Sequence, residues 1–257
     1  ARLYRETAEK ARMEQELRIA AQIQQALLPP GRWATPYFEA EGRSVPCRAI
    51  GGDFFDYLPL GEGTSGFALA DVSGKGAPAA LLTAMIQGVL SAQVSFGGGP
   101  ASAAARVNEV LIRRALGSRF VTLFLASLTP AGRLTYCNAG HNPPFLVRGG
   151  RVQRLETGGL ICGLFPAATY QEESVQLEPG DRLVAFSDGV CEAVNAEGEE
   201  FGDDRILDCI DKSAERDAAG LLERLLAELS AFSAGTQQGD DITAVVVRYT
   251  GRGEGQV

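Results

Sequence analysis

Four aspartates stand where apolar runs give way to glycine. Asp71 closes Phe67-Ala68-Leu69-Ala70 and opens Val72-Ser73-Gly74-Lys75-Gly76, and Asp188 closes Leu183-Val184-Ala185-Phe186-Ser187 ahead of Gly189. Asp240, with Asp241, follows Gly239 and opens Ile242-Thr243-Ala244-Val245-Val246-Val247, while Asp53 follows Gly51-Gly52 in Ile50-Gly51-Gly52-Asp53-Phe54-Phe55-Asp56-Tyr57. A strand end fixes the position of a carboxylate, and an adjacent glycine lets a cation or a water reach the main chain. Aspartates that converge without His or Cys form a hard oxygen site, suited to Mg²⁺ or Mn²⁺ rather than zinc. Two such ions about 3.5–4 Å apart can hold a hydroxide for in-line attack on a phosphoryl group. Any one Asp-Gly pair is more simply a turn, so the argument rests on the repetition at four strand ends.

Two other chemistries fall short at the level of motif. Ser73-Gly74-Lys75-Gly76 is followed by Ala77-Pro78 and no Gly-x-x-x-x-Gly-Lys-Ser/Thr pattern is present, which argues against a nucleotide-binding P-loop. Gly51-Gly52-Asp53-Phe54-Phe55 resembles the Gly-Gly-Asp/Glu-Glu-Phe loop of diguanylate cyclases only in part, because Phe54 stands where that loop carries an acid. The net charge of −8 and the lack of a basic block argue against nucleic acid as a partner. An acidic chain that handles phosphate needs positive charge from elsewhere, and bound metal ions would supply it.

The elements that must position these residues are legible in outline. Residues 1–28 are rich in Ala, Glu, Gln, Arg and Leu without Gly or Pro, and the run stops at Pro29-Pro30-Gly31. Met13, Leu17, Ala20 and Leu27 recur at steps of four, three and seven, a short coiled-coil-like seam. The pattern predicts a linker helix over 1–30, read as signal-carrying and able to form a homodimer, with a terminal helix packed on its own domain as the plainer alternative, ahead of a main domain at 31–250 and a flexible tail at 251–257. Strand signals dominate that domain. Residues 120–128 meet 133–137 across a Thr-Pro-Ala-Gly turn, 145–148 meet 151–155 across Gly149-Gly150, and 182–186 and 242–249 add two more. Amphipathic helices are expected over 78–93, over 101–116 and twice within 205–232. Hairpins with helices inserted in blocks predict an α+β fold of antiparallel sheets covered by helices, rather than a doubly wound parallel sheet. The five cysteines are scattered without a Cys-x-x-Cys, and no run approaches the roughly 20 apolar residues of a membrane span. The charged N-terminal stretch also lacks the apolar centre of a signal peptide, so a cytoplasmic location without membrane contact is expected.

Taken in order, IGGDFFDY, ALADVSGKGAPAALLTAM, YCNAGHNPPFLV, LVAFSDGVCEAVNAEGEEFG and GDDITAVVV resemble the SpoIIE/RsbU-type bacterial branch of the metal-dependent protein serine/threonine phosphatases, the PPM family. The end of the first helix, Gln22 to Pro29, is similar to the linker that precedes the domain in members of that branch. The resemblance implies an α-β-β-α sandwich with two Mn²⁺ or Mg²⁺ ions at one edge, and a hydroxide held between them that hydrolyses phosphoserine or phosphothreonine. It implies that Asp71 bridges the metals with the Val72 carbonyl on one of them, that Asp188 and Asp240 hold the second, and that Asp53 supports the first. Asp241 would point elsewhere and Thr243 would brace the loop. Lys75, His141 and Asn142 are candidate substrate contacts, with a solvated lysine and a structural histidine as the plainer readings. The implied partners are a phosphorylated anti-sigma-factor antagonist in a partner-switching circuit and an upstream sensor domain or regulatory protein. A catalytically silent module that keeps the fold for binding is the alternative.

Overall fold

A computed structural model describes residues 2–94, 97–115, 117–213 and 216–251. Helix α1 (Arg2–Leu27) leads into the strands β1 (Arg32–Thr35), β2 (Phe38–Val45), β3 (Phe54–Gly61) and β4 (Thr64–Val72). Helices α2 (Ala77–Val94) and α3 (Pro100–Arg114) follow, then β5 (Val121–Leu128), β6 (Arg133–Ala139), β7 (Phe145–Arg148), β8 (Arg151–Arg154), β9 (Gly158–Gly159), β10 (Glu173–Gln176) and β11 (Arg182–Phe186). The one-turn helix α4 (Asp188–Cys191), α5 (Gly202–Asp211), α6 (Ala218–Phe232) and β12 (Ile242–Tyr249) complete the chain.

The strands form two sheets, in the orders β1-β2-β12-β11-β7-β8 and β10-β6-β5-β4-β3. Every pairing is antiparallel except the two-residue β9, which runs parallel to β6. The hairpin between β7 and β8 turns on Gly149 and Gly150, whose φ values of +51° and +79° give the double left-handed turn that matches strand twist. Alternation along each strand sorts side chains into two destinations. Phe67 and Leu69 of β4 face the other sheet and pack with Phe38, Phe124, Leu183, Val245 and Val247, whereas Ala68, Ala70 and Val72 face α2 and α3. On the far side Val184, Phe186, Ala244 and Val246 pack under α5 and α6. The result is the expected α-β-β-α sandwich. Strand β2 and the short β1 and β10 carry too few periodic apolar residues to stand out from the sequence; β2 is held by its eight-residue pairing with β12.

Helix α1 departs from the single seam expected of it. Met13, Ile19, Ile23 and Leu27 are exposed, while Leu17, Ala20, Ala21, Gln24 and Leu28 are half-buried. Beyond residue 16 the helix thus has an inward face and an outward one of Ile19, Ile23 and Leu27, while Met13 continues the line of Leu17, Ala20 and Gln24 in the stretch 6–16, which is exposed all round. Leu28 packs against the core under α2, and Gln87 Nε2 of α2 donates to the Leu27 carbonyl at 3.1 Å. Except for Gly251, the expected tail lies outside the described residues. No helix among the described residues is long and apolar enough to cross a membrane.

Phe38 is 1% exposed and makes edge-on contacts with Trp33, Tyr37 and Phe67 between the sheets. Phe38→Ala is therefore expected to lower the unfolding free energy by about 3–5 kcal/mol, read as a fall in urea midpoint at unchanged slope.

Candidate metal centre

The sandwich opens at one edge, and the ladder geometry brings the carboxylates there. Phe54 pairs with Ala70, so one step further along the two strands sets Asp53 opposite Asp71, and Asp71 in turn pairs with Thr122. Asp71 shares the inter-sheet face of Phe67 and Leu69. From the second sheet, Phe186 pairs with Ala244, which places Asp188 just beyond the end of β11 and Asp240-Asp241 just before β12. Each sheet thus contributes two of the four aspartates singled out from the sequence.

Their electrostatics report the convergence. Burial, followed by the charge of Asp71, holds the Asp53 carboxyl well above the usual carboxylate range, partly offset by the hydroxyls of Ser187 and Thr243. Burial and then the charges of Asp188 and Asp240 push Asp71 up to about 6. Asp188 is raised by burial and by Asp240. Asp53 is 5% exposed, and its Oδ2 is buried without a hydrogen-bond partner. An unpartnered buried carboxylate oxygen beside like charges is costly unless a cation completes it.

Asp241, the neighbour in the Asp-Asp pair, has another task. Its Oδ1 accepts the Cys47 N–H at 2.7 Å and its Oδ2 accepts the Gly52 N–H at 2.7 Å, so it clamps the Gly51-Gly52 turn to the second sheet. The glycines follow from this closeness. A Cβ on Gly51 would stand 2.3 Å from Asp241 Oδ2, and one on Gly52 would stand 2.6 Å from the Val72 carbonyl oxygen. The Val72 carbonyl therefore points into space that only a glycine leaves open. Hard carboxylate oxygens, an orphaned buried Asp53 oxygen and a bared carbonyl fit a divalent cation such as Mn²⁺ or Mg²⁺.

Other candidates fall in different places. Lys75 Nζ pairs with Asp240 Oδ2 at 2.8 Å and donates to the Gly239 carbonyl at 2.6 Å, so its charge is engaged within the acidic edge. His141 sits as the plainer, structural reading has it. It is 5% exposed, Nδ1 lies 2.8 Å from Thr122 Oγ1, the backbone N–H donates to Asn138 Oδ1, and burial pushes the imidazole down to about 4. A neutral ring sealed behind Thr122 has no access to a ligand arriving from solvent. Asn142 turns toward α4, with Nδ2 3.1 Å from Cys191 Sγ. Two contributors were missed in the sequence. Cys47 brings its sulfur within 4.8 Å of carboxylate oxygens of Asp240 and Asp241. Gln24 of α1 forms a paired contact with Gly51, donating to its carbonyl at 2.7 Å and accepting its N–H at 3.0 Å. A polar residue on the inward face of α1 was the only available signal for Gln24.

The raised Asp71 carboxyl has a measurable consequence for the metal-free chain. A carboxyl whose folded pKa of about 6 lies above its unfolded value favours the folded state only while protonated. Stability should therefore fall as pH rises from about 4 through about 6 and then level off, and Asp71→Asn should raise stability at pH 7.5 by roughly 1–3 kcal/mol. Thermal unfolding in EDTA across that pH range checks both.

The comparisons with known proteins show the family and the fold. The family model described as Stage II sporulation protein E (SpoIIE) matches residues 61–250. Phosphoserine phosphatase RsbU of Bacillus subtilis (strain 168) is 32% identical over 189 residues, 72% of this chain and 56% of that protein. The chain spans about half the length of the curated relatives it matches. Among solved structures, the SiaA-PP2C domain of Pseudomonas aeruginosa superposes with a TM-score of 0.81 at 22% identity, covering 94% of this chain and 98% of that one. The catalytic domain of the serine threonine protein phosphatase PstP, solved in complex with 2 manganese ions, has the same fold at a TM-score of 0.64 and 17% identity, over 83% of this chain and 99% of that one. By the family match over residues 61–250 and the identity to RsbU, the chain belongs to the SpoIIE family, in the SpoIIE/RsbU-type branch of the PPM fold.

Proposed function

We propose that this chain is a metal-dependent protein serine/threonine phosphatase, with residues 31–250 as the catalytic domain, 1–30 as a regulatory linker helix and 251–257 as a tail. The observation that carries the reading is the buried, unpartnered Asp53 Oδ2 beside carboxylates delivered by three other segments. Asp53, Asp71, Asp188, Asp240 and the Val72 carbonyl would hold two Mn²⁺ or Mg²⁺ ions. When bound, such ions supply a hydroxide at neutral pH and neutralise the charge of a phosphoryl group.

The residues of the chain itself do the positioning. Strands β3 and β4 fix Asp53 and Asp71 opposite each other, and Asp241 holds the Gly51-Gly52 turn so that the Val72 carbonyl stays bare. Ser187 and Thr243 favour the ionised form of Asp53. A groove of about 450 Å³ opens beside Asp240, walled by Val45, Val194, Leu229 and Ile242, with Arg43 and Glu192 among its polar groups. We assign it to the peptide that flanks the phosphorylated residue. The likeness to the phosphoserine phosphatase RsbU supports phosphoserine as a substrate; phosphothreonine, and an anti-sigma-factor antagonist as the carrier, rest on the resemblance of the motifs alone.

Regulation enters through α1. Its Gln24 grips the turn that carries Asp53, its end is held by Gln87 of α2, and α2 follows directly on the Asp71 loop. The outward stripe of Ile19, Ile23 and Leu27 is the face through which a second copy or an upstream segment would set the helix.

Two experiments test this. Hydrolysis of an aryl phosphate and of a phosphoserine protein is expected with Mn²⁺ or Mg²⁺, to vanish in EDTA, and to fall by about two orders of magnitude or more in Asp71→Asn and Asp240→Asn. Metal-independent turnover, or full activity in both variants, would remove the reading. Gln24→Ala and a chain lacking residues 1–28 should each need several-fold more Mn²⁺ for half-maximal activity, and an unchanged metal requirement in both would dissociate α1 from the site.

A further inference from the structure

The acidic edge carries a second cation that neither the motifs nor the resemblance contains. Arg119 lies in Gly117-Ser118-Arg119-Phe120, just ahead of β5. The β4–β5 ladder continues past Asp71 to reach it: the Ser73 N–H donates to the Phe120 carbonyl at 2.9 Å, and the Phe120 N–H donates to Ser73 Oγ at 2.8 Å. That extension seats the arginine against the Ser73-Gly74 turn. Gly74 has a φ of +98°, and a Cβ there would stand 2.9 Å from Arg119 Nη1, so the glycine both makes the turn and leaves room for the guanidinium. The Gly74 carbonyl in turn lies 3.4 Å from the Cβ position of Gly52, which places the turn against the segment that carries Asp53.

The guanidinium is undersatisfied. Nη1 donates to the Ser73 carbonyl at 3.4 Å, at the long limit of a hydrogen bond, and Arg119 pairs with no carboxylate among the described residues. Arg106 and Arg113 of α3, by contrast, both pair with Glu109. Lys75 differs as well, since its ammonium is already held by Asp240 and Gly239. Arginine offers five donors in a rigid fork that matches two phosphate oxygens at once, and it is always charged. Half-exposed beside a carboxylate edge and engaged with none of it, this fork suits an anion brought in from solvent.

We propose that Arg119 binds the phosphoryl group of the substrate, as a phosphate-recognition residue of the site described above. The inference rests on the phosphatase reading for the identity of the ligand, a phosphomonoester on a protein. Its chemistry is tested apart from turnover. Binding of inorganic phosphate to the Mg²⁺-loaded full chain, followed by calorimetry, should weaken about tenfold or more in Arg119→Ala and recover in part in Arg119→Lys, with Mg²⁺ affinity unchanged in both. In parallel, KM for a phosphoserine peptide should rise in Arg119→Ala by a similar factor, more than kcat falls. Equal phosphate binding by the wild type and Arg119→Ala would overturn the proposal. So would phosphate binding too weak to detect in the wild type, or a loss of Mg²⁺ affinity that tracks the loss of phosphate, which would make Arg119 a brace for the Ser73-Gly74 turn. Arginine-dependent phosphate binding in a wild-type chain without metal-dependent turnover would uphold the arginine and remove the phosphatase reading.

Discussion

The mutual repulsion of carboxylates held at the edge where two sheets meet governs the rest of this structure. Left to itself, a chain does not place Asp53 in a buried position opposite Asp71 and within electrostatic reach of charges from the second sheet. The surrounding architecture holds that arrangement in place. The inter-sheet core fixes the two sheets by packing Phe38, Phe67, Phe124 and Val245 between them, and Asp241 ties the Gly51-Gly52 turn of one sheet to the start of β12 in the other. Both Asp241 oxygens are taken by backbone N–H groups, whereas Asp240 accepts one from Asp241 and Asp53 keeps a buried oxygen without a partner, so the two members of the Asp-Asp pair have different surroundings.

Much of this was legible in the residues, and the reason is local. A strand that ends in Asp-Gly or begins with Gly-Asp declares its carboxylate by pattern alone, so Asp53, Asp71, Asp188 and Asp240 could be singled out, and the hairpins and helix blocks gave the layered fold. The pattern carries no information on what lies across a gap. Gln24 reaches Gly51 over 27 positions, and Arg119 reaches Ser73 over 46, contacts that depend on how layers and loops settle against one another. The sole histidine illustrates the converse. Chemistry makes His141 a tempting substrate contact, but its place after β6 turns the ring inward onto Thr122, and only the folded layers reveal that burial. The seam on α1 was legible only in part for a related reason: Leu17 and Ala20 face the domain while Leu27 faces outward, and heptad spacing marks apolar positions without saying which surface each one serves.

Because Asp53 and Asp71 ride on one sheet while Asp188 and Asp240 ride on the other, the centre is a gauge of interlayer slip. A displacement of a few tenths of an ångström between the layers leaves hydrogen bonds within each sheet intact yet alters every distance across the acidic edge. The inter-sheet core and the Asp241 clamp therefore set the spacing of the acidic edge, so a substitution between the layers, far from any aspartate, would be felt there.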